Sequence, residues 1–227
     1  MLKAMIELIP RAREVLREEG VRSVLTRGLP IVRSWFFEYG NYYLYEHILE
    51  DGNEADFLPK INNFTFRIVS SNEEADALAK STGVDFRKHF IDSRKRLDKG
   101  AIAFCLFIDG EAAHTGWVAL NEEARKSVDS LPYKIDFANG EACTGGTGTL
   151  TKYRGKGLMV YGYFKRFQFL WEKGVRISRN AVDVRNIASQ HAHAKFNHKI
   201  CARGRYLKIL WWKSWKELPV IQTERCA

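Results

Sequence analysis

The chain has 227 residues, a mass of 26.2 kDa and a formal net charge of +9. Its content of 45% hydrophobic and 28% charged residues is typical of a globular protein and excludes wholesale disorder. The longest unbroken apolar run, residues 101–108, is far shorter than the ~20 residues that cross a bilayer. No secretion signal is expected, because Lys3 and Glu7 interrupt the apolar start and no small-residue cleavage site follows it.

The four cysteines stand far apart in the chain and form no Cys-x-x-Cys pair: Cys105, Cys143, Cys201 and Cys226. This spacing is typical of free thiols in a reducing compartment, and it argues against a disulfide framework or a zinc ribbon. The sequence therefore predicts a cytoplasmic location.

Positive charge is concentrated in the last third of the chain. Residues 152–227 hold 17 Lys and Arg against 4 Asp and Glu, a net charge of +13 on that segment, whereas residues 1–60 and residues 61–151 are both slightly acidic. A segment this basic predicts an anionic partner, which could be a phosphate-bearing cosubstrate, a nucleic acid or a membrane surface.

Residues 1–60 are predicted to form a helical arm that is rich in basic and aromatic residues. Apolar side chains recur there at three-and-four spacing, as at Ala12, Val15 and Leu16. We expect the arm to dock on the main domain or on a partner subunit. Contact of residues 1–45 with an anionic membrane is the alternative.

Residues 61–227 are predicted to form one mixed α/β domain. Ser71 or Asn72 is expected to cap its first helix, and the turn Asp109-Gly110 is expected to join two strands into a hairpin. The predicted elements, in chain order, are strand 64–69, helices 72–80 and 85–97, strands 101–108, 111–120 and 141–151, helix 157–173, strand 176–184, helix 187–196 and strand 200–212.

The segment 149–159 runs from a predicted strand through a glycine-bearing turn into a helix. Gly155 and Gly157 let the backbone approach a ligand closely, and the start of a helix carries partial positive charge. Arg154 and Lys156 add full charges there. The pattern indicates a pyrophosphate site, with an ordinary basic turn as the alternative. It matches neither a P-loop nor a dinucleotide-binding fingerprint.

The stretch Tyr153-Arg-Gly-Lys-Gly-Leu158 resembles motif A of the GCN5-related N-acetyltransferases, Arg/Gln-x-x-Gly-x-Gly/Ala. Arg154 and Gly157 match that motif, and Met159 departs from it at the last position.

A second segment, residues 186–196, is similar to the same family's Asn-x-x-Ala/Ser-x-x-Leu-Tyr-x-Lys-x-Gly-Phe. Asn186, Ser189 and Lys195 match, and His193 stands where many members have a tyrosine. Together the two segments extend the resemblance over about residues 64–215.

The resemblance implies a mixed, mostly antiparallel central sheet with helices on both faces. It also implies that acetyl-CoA or another acyl-CoA lies between two parallel strands that splay apart near Thr151 and Val184. The backbone N–H of Thr149 or a neighbour would polarise the thioester carbonyl. The residues implied in cofactor binding are Thr149, Thr151, Arg154, Gly155, Lys156, Gly157, Leu158, Met159, Asn186 and Ser189.

The implied activity is direct transfer of the acyl group to a primary amine of an acceptor that the sequence does not identify. His193 is assigned as the proton donor to the departing thiolate, and Glu141 as the general base. Ordered water could replace a dedicated base. No metal is expected, because His191 and His193 point apart on a helix.

Two other functions stay open at this point. An aminoacyl-tRNA-dependent transferase of related fold needs a basic surface, although it needs no pyrophosphate loop. A non-catalytic nucleic-acid-binding protein would also explain the charge. A homodimer through the aromatic face of the last strand, which carries Trp211 and Trp212, is a further expectation.

Overall fold

The computed structural model of the protein describes residues 36–220 except residues 89 and 91. Within these residues, the strands are β1 (Phe37–Ile48), β2 (Phe64–Val69), β3 (Ile102–Ile108), β4 (Glu111–Ala119), β5 (Glu141–Thr149), β6 (Ile177–Asp183), β7 (His198–Ile209) and β8 (Trp212–Leu218). The α-helices are α1 (Asn72–Thr82), α2 (Ser93–Asp98), α3 (Glu122–Val128), α4 (Leu158–Glu172) and α5 (Ile187–His193).

The described chain divides into two compact units. The larger unit contains residues 41–204 and 217–220, and the smaller contains residues 36–40 and 205–216. In the larger unit the strands are hydrogen-bonded in the order β2-β3-β4-β5-β6-β1-β7, and β8 follows β7 in the smaller unit. The β5–β6 pair is parallel, whereas β1–β6, β2–β3, β3–β4 and β4–β5 are antiparallel. The predicted mixed, mostly antiparallel sheet is confirmed.

Local signals in the sequence define several of the element ends. The Ser71 side chain accepts a hydrogen bond from the Glu74 N–H at the start of α1, and Gly83 ends that helix in the left-handed conformation. Asp109 and Gly110 both have positive φ, 49° and 75°, as a type I′ hairpin turn requires. The predicted strand 64–69, the Ser71 cap and the hairpin are confirmed.

Helices cover both faces of the sheet in the larger unit. One buried apolar cluster joins Trp117 and Cys143 to residues of α1, α2 and α3. A second cluster joins Val118 and Ala142 to residues of α4. Because neighbouring residues of a strand point to opposite faces, α1–α3 lie on one face and α4 on the other.

The predicted helical arm is corrected where the structure describes it. Residues 37–48 form strand β1, which pairs with β6 from Tyr42↔Asp183 to Ile48↔Ile177. Tyrosines and phenylalanines favour strands when they can pack on a half-buried sheet, and that preference outweighs the helical reading. The prediction for residues 1–35, with most of the proposed membrane contact, lies outside the described residues.

Three other predictions differ from the structure. The predicted helix 85–97 is interrupted, because Asp92 adopts a φ of 61° and the α-helix begins only at Ser93. Helix α3 lies in a region predicted as a loop, and the Asn121 side chain caps it by accepting a hydrogen bond from the Ala124 N–H. The predicted strand 200–212 is two strands, joined by a turn at Leu210, where φ is 56°.

Among the described residues, no helix combines the length and apolar character needed to cross a membrane.

Candidate active site

Strands β5 and β6 run side by side over three residue pairs and then separate. Residues 141–143 of β5 pair with residues 177–179 of β6. Beyond them, residues 144–149 of β5 pair with β4, and residues 180–183 of β6 pair with β1. The chain thus has a wedge between two parallel strands, called the interstrand gap below, and the predicted splay is confirmed.

A β-bulge lies on the β5 side of the interstrand gap. Trp117 pairs with Gly145 and Thr115 with Gly148, so Gly116 alone faces the two residues between them. Gly146 adopts a φ of +57° at this point. Bulges re-aim backbone and side chains next to functional sites, and here β5 carries one extra residue beside the gap.

The Thr149 N–H points into the interstrand gap. The N–H of the next residue, Leu150, donates to Ala113 O on the β4 side at 2.9 Å. Successive N–H groups of a strand point to opposite edges, so that of Thr149 is directed away from β4. This orientation fits the predicted role of Thr149 toward a thioester carbonyl.

The glycine-bearing loop follows β5 at the open end of the interstrand gap. Gly155 and Gly157 have φ of 74° and 83°, and a side chain on Gly157 would also contact the Pro59 backbone at 3.4 Å. Arg154 and Lys156 are exposed, and Arg154 Nε donates to Thr149 O at 3.4 Å.

Helix α4 begins directly after this loop, at Leu158. The first backbone N–H groups of a helix have no partner within the helix. Leu158 is buried, and Met159 packs against the apolar cluster that joins Val118 and Ala142 to α4. Both residues could therefore offer a ligand their backbone N–H groups but not their side chains. Thr151 is exposed in the turn that precedes the loop. The arrangement fits the predicted pyrophosphate site, which stays a prediction.

Five side chains bridge the interstrand gap on the α4 face, from β5 to β6. Arg166 Nη1 donates to Thr147 Oγ1 at 3.3 Å, and the guanidinium lies 3.9 Å from the Tyr163 ring centroid. The Tyr163 ring meets the His193 ring at 4.5 Å, and His193 Nε2 lies 3.1 Å from Asn180 Nδ2. We call these residues the gap-spanning layer.

His193 is 0% exposed inside the gap-spanning layer, and its Nδ1 lies 3.0 Å from His47 Nε2. Burial lowers the pKa of His193 well below its usual value, and the neighbouring His47 and Arg166 lower it further. The imidazole is therefore neutral at pH 7. The predicted role as a protonated acid does not fit this environment.

In the part of the chain that the structure describes, no cluster of three or more His, Cys, Asp or Glu could hold a metal.

Glu141 lies at the closed end of the interstrand gap, where β5 and β6 are still paired. Its two carboxylate oxygens accept from Arg179 at 2.7 and 2.8 Å, and one also accepts from the Asp136 N–H at 2.8 Å. Burial acts to raise the pKa of Glu141, but these hydrogen bonds and the Arg179 charge bring it below the usual value. A carboxylate held this way is a poor proton acceptor, so the geometry favours a structural role over the predicted base.

We expect Glu141→Gln to lower the free energy of unfolding by ~1–3 kcal/mol near pH 7, because the Arg179 ion pair is lost. A carboxyl with a depressed pKa stabilises the fold above its unfolded pKa of ~4.3, and that stabilisation is lost as pH falls through the folded value. The difference between the two proteins should therefore shrink toward about pH 3. Urea unfolding at both pH values measures it, and a difference that stayed constant would contradict the ion pair's role.

Asn186 and Ser189 lie at the start of α5. The Asn186 side-chain oxygen accepts from the Ser189 N–H at 3.1 Å, which makes Asn186 the N-cap of the helix. Asn186 is exposed and Ser189 is buried. The cap uses only the amide oxygen, so contact of Asn186 with a cosubstrate stays a prediction.

Two further side chains border the gap on the face that carries α1–α3. Arg96 Nη1 donates to Gly146 O at 3.3 Å, over the Trp117 ring. The Asp129 carboxylate accepts from the Leu131 N–H and the Tyr133 hydroxyl, both at 2.9 Å.

The pKa of Asp129 lies above its usual value, whereas that of Glu141 lies below. Burial raises the pKa of Asp129, although hydrogen bonds from Leu131 and Tyr133, the Arg125 charge and the Ala181 N–H of β6 act in the opposite direction. Sequence reasoning missed Asp129 because it directly follows α3, in a stretch read as a loop. The Asn121 cap was the local signal that could have revealed this helix.

Comparison with protein-family models and with curated proteins finds no match. Among solved structures, the GCN5-related glucosamine N-acetyltransferase region of a fungal multi-domain GH3 β-N-acetylglucosaminidase matches with a TM-score of 0.50 and 12% identity, over 84% of this chain and 23% of that chain. A GNAT-family acetyltransferase from Colwellia psychrerythraea matches with a TM-score of 0.47 and 15% identity, over 76% and 56%. A GCN5-related N-acetyltransferase from Kribbella flavida matches with a TM-score of 0.44 and 16% identity, over 84% and 64%.

The chain thus spans less than two thirds of the length of each of these structures. At this identity the likeness concerns the architecture, and the chain has the fold of the GCN5-related N-acetyltransferases.

Proposed function

We propose that the protein transfers an acyl group, most simply acetyl, from an acyl-CoA to a primary amine by direct attack. The observation that carries this proposal is the interstrand gap with a glycine-bearing helix start at its open end. A thioester in the gap and a pyrophosphate on the loop would be joined along β5. One acyl-CoA molecule would thus occupy both the interstrand gap and the glycine-bearing loop.

The residues have distinct tasks in this proposal. Backbone N–H groups of residues 155–159 hold the pyrophosphate, and Arg154 and Lys156 add charge. The Thr149 N–H donates to the thioester carbonyl. Residues at the start of α5, Asn186 and Ser189, border the arm that joins the two.

The reaction moves one acyl group and one proton. The amine lone pair attacks the carbonyl carbon, a C–N bond forms, and the C–S bond breaks with its electron pair leaving on sulfur. The amine must lose a proton to a base. We assign that role to Asp129 instead of Glu141, because its half-buried carboxylate lies beside the gap with a raised pKa, whereas Arg179 holds Glu141 in an ion pair.

Calorimetry with acetyl-CoA, and with ATP and a short single-stranded RNA as controls, tests the function. We expect 1:1 binding of acetyl-CoA that neither control reproduces. RNA binding without acetyl-CoA binding would overturn the proposal and favour a nucleic-acid partner. An amine screen with acetyl-CoA as donor would follow a positive result.

With an amine found by that screen, we expect Asp129→Asn to lower kcat ~100-fold, within the range for loss of a general base, and to leave the affinity for acetyl-CoA unchanged. In the wild type, the rate should rise with pH through a pKa above the usual ~3.9 of aspartate. Asp136→Asn serves as the control, because Asp136 lies on the surface and caps a short turn. Equal rates for Asp129→Asn and wild type would show that water, not Asp129, accepts the proton of the amine.

A further inference from the structure

Arg166 is a buried cation whose charge has no carboxylate partner among the described residues. It is 0% exposed. Its Nε donates to Gly162 O of its own helix at 2.9 Å and its Nη1 to Thr147 Oγ1 at 3.3 Å, while Nη2 has no hydrogen-bond partner. An arginine stays protonated in proteins, so the charge is present at every relevant pH.

The guanidinium lies over the interstrand gap. It packs against Gly116 on β4, where an added Cβ would come within 2.6 Å of Cζ. Burial lowers the pKa of His114 on β4 to about 3, and the Arg166 charge contributes to that decrease. It also acts on His47 of β1 and His193 of α5, which lie on the other side of the gap. The guanidinium contacts Thr147 of β5 and lies 3.9 Å from the Tyr163 ring centroid, and that ring lies 4.5 Å from the His193 ring, so Arg166 forms the β5 side of the gap-spanning layer.

In the part of the chain that the structure describes, no carboxylate near Arg166 balances its charge. The titratable side chains on its face are Tyr163 of its own helix and the three histidines, and Cys143 acts on it from the opposite face of the sheet. Burial of an unpaired charge is expensive, and a fold keeps one where it serves a purpose. An uncompensated cation with a free N–H group is suited to an anion that arrives with a ligand.

The chemistry of the proposed function supplies such an anion. At the closed end of the gap, Thr144 Oγ1 and Ser178 Oγ are joined by a hydrogen bond of 3.0 Å. The pantetheine arm of an acyl-CoA that enters at the loop before α4 would extend along β5 no deeper than this bond. The reacting sulfur would thus lie beside residues 145–149, next to Thr147 and its partner Arg166. Negative charge develops on that sulfur as the C–S bond breaks.

We propose that Arg166 is a catalytic residue that stabilises the departing CoA thiolate through its free Nη2 group. The inference rests on the proposed function. The electron pair of the C–S bond moves to sulfur, the guanidinium keeps its proton, and the thiolate takes a proton from water after it leaves. No acid at His193 is then needed, which fits a neutral, buried imidazole.

The test measures the thiol pKa of bound CoA from the ultraviolet absorbance of its thiolate. Spectra of the complex with desulfo-CoA are subtracted across the pH series, which removes the signal of the protein's own thiols. In the wild type we expect the pKa of the bound thiol to lie at least ~1 unit below that of free CoA measured in the same way, a tenfold gain in thiolate.

Three variants test whether Arg166 causes the decrease in the thiol pKa of bound CoA. Arg166→Met should return the thiol pKa to that of free CoA or above, whereas Arg166→Lys should keep most of the decrease. Lys165→Met is the matched control, because it removes the neighbouring charge of α4, which pairs with Glu54 at 3.4 Å. Thermal unfolding checks the fold; Arg166→Met should melt no lower than the wild type, since a buried unpaired charge has been removed.

An equal thiol pKa in wild type and Arg166→Met would overturn the inference while leaving CoA binding, and the proposed function, intact. Failure of the wild type to bind CoA would overturn both. A preference for a dicarboxylic acyl-CoA that Arg166→Met abolishes, with no change in thiol pKa, would assign Arg166 to an acyl carboxylate and refute the thiolate role.

Discussion

Gly116→Ala is expected to lower the free energy of unfolding by ~2–4 kcal/mol, at the upper end of the range for overpacking a core. The added Cβ would lie 2.6 Å from Arg166 Cζ and 2.8 Å from its Nη1. The guanidinium is fully buried and held by Thr147, so it cannot swing into solvent to make room. Steric conflict, not backbone strain, is the cause.

Gly110→Ala separates these two effects. Gly110 has a φ of +75° and nothing within 4 Å of an added Cβ, so its cost should be the ~1–2 kcal/mol of a left-handed residue alone. Urea unfolding gives both values. Adding Arg166→Met to Gly116→Ala should recover much of the loss, because the shorter side chain leaves space. Additive effects of the two substitutions would show that Arg166 is not what excludes a side chain at Gly116.

Arg154→Ala is expected to weaken CoA binding roughly 10- to 100-fold, the effect of removing a charge-assisted hydrogen bond to phosphate. Arg154 is exposed at the open end of the interstrand gap, and its Nε contacts Thr149 O at the end of β5. Calorimetry with CoA measures the change. The loss should be smaller at high salt, because ions screen an exposed charge.

Lys152→Ala is the matched control for Arg154→Ala. Lys152 lies two residues earlier and forms an ion pair with Glu111, so its charge is already engaged. Its loss should leave CoA affinity within about twofold of the wild type. Equal weakening by both substitutions would indicate a general effect of positive charge. An unchanged affinity in Arg154→Ala would show that the pyrophosphate binds elsewhere.

Local sequence signals predicted those parts of the site that depend on the backbone of one short segment. Gly155 and Gly157, followed by an apolar helix, are sufficient to indicate the loop and the start of α4, because positive φ and helix formation are properties of neighbouring residues. The hairpin at Asp109-Gly110 follows for the same reason.

The roles of individual side chains could not be predicted in this way. The residue types and positions of Glu141 and His193 predict catalytic roles, yet Arg179 holds Glu141 in an ion pair and burial against His47 keeps His193 neutral. Both partners come from distant parts of the chain. A pKa depends on such neighbours and on burial, neither of which a motif contains.

By itself the sequence determined the mixed α/β class, the order of most strands and helices from residue 64 onward, and the glycine-bearing loop, because these follow from periodicity, capping and turn residues. Only the tertiary structure decided that β1 pairs with β6, that Asp129 lies beside β6, and that Arg166 is enclosed above the interstrand gap. These features depend on hydrogen bonds and packing between segments far apart in the chain, which local patterns do not specify.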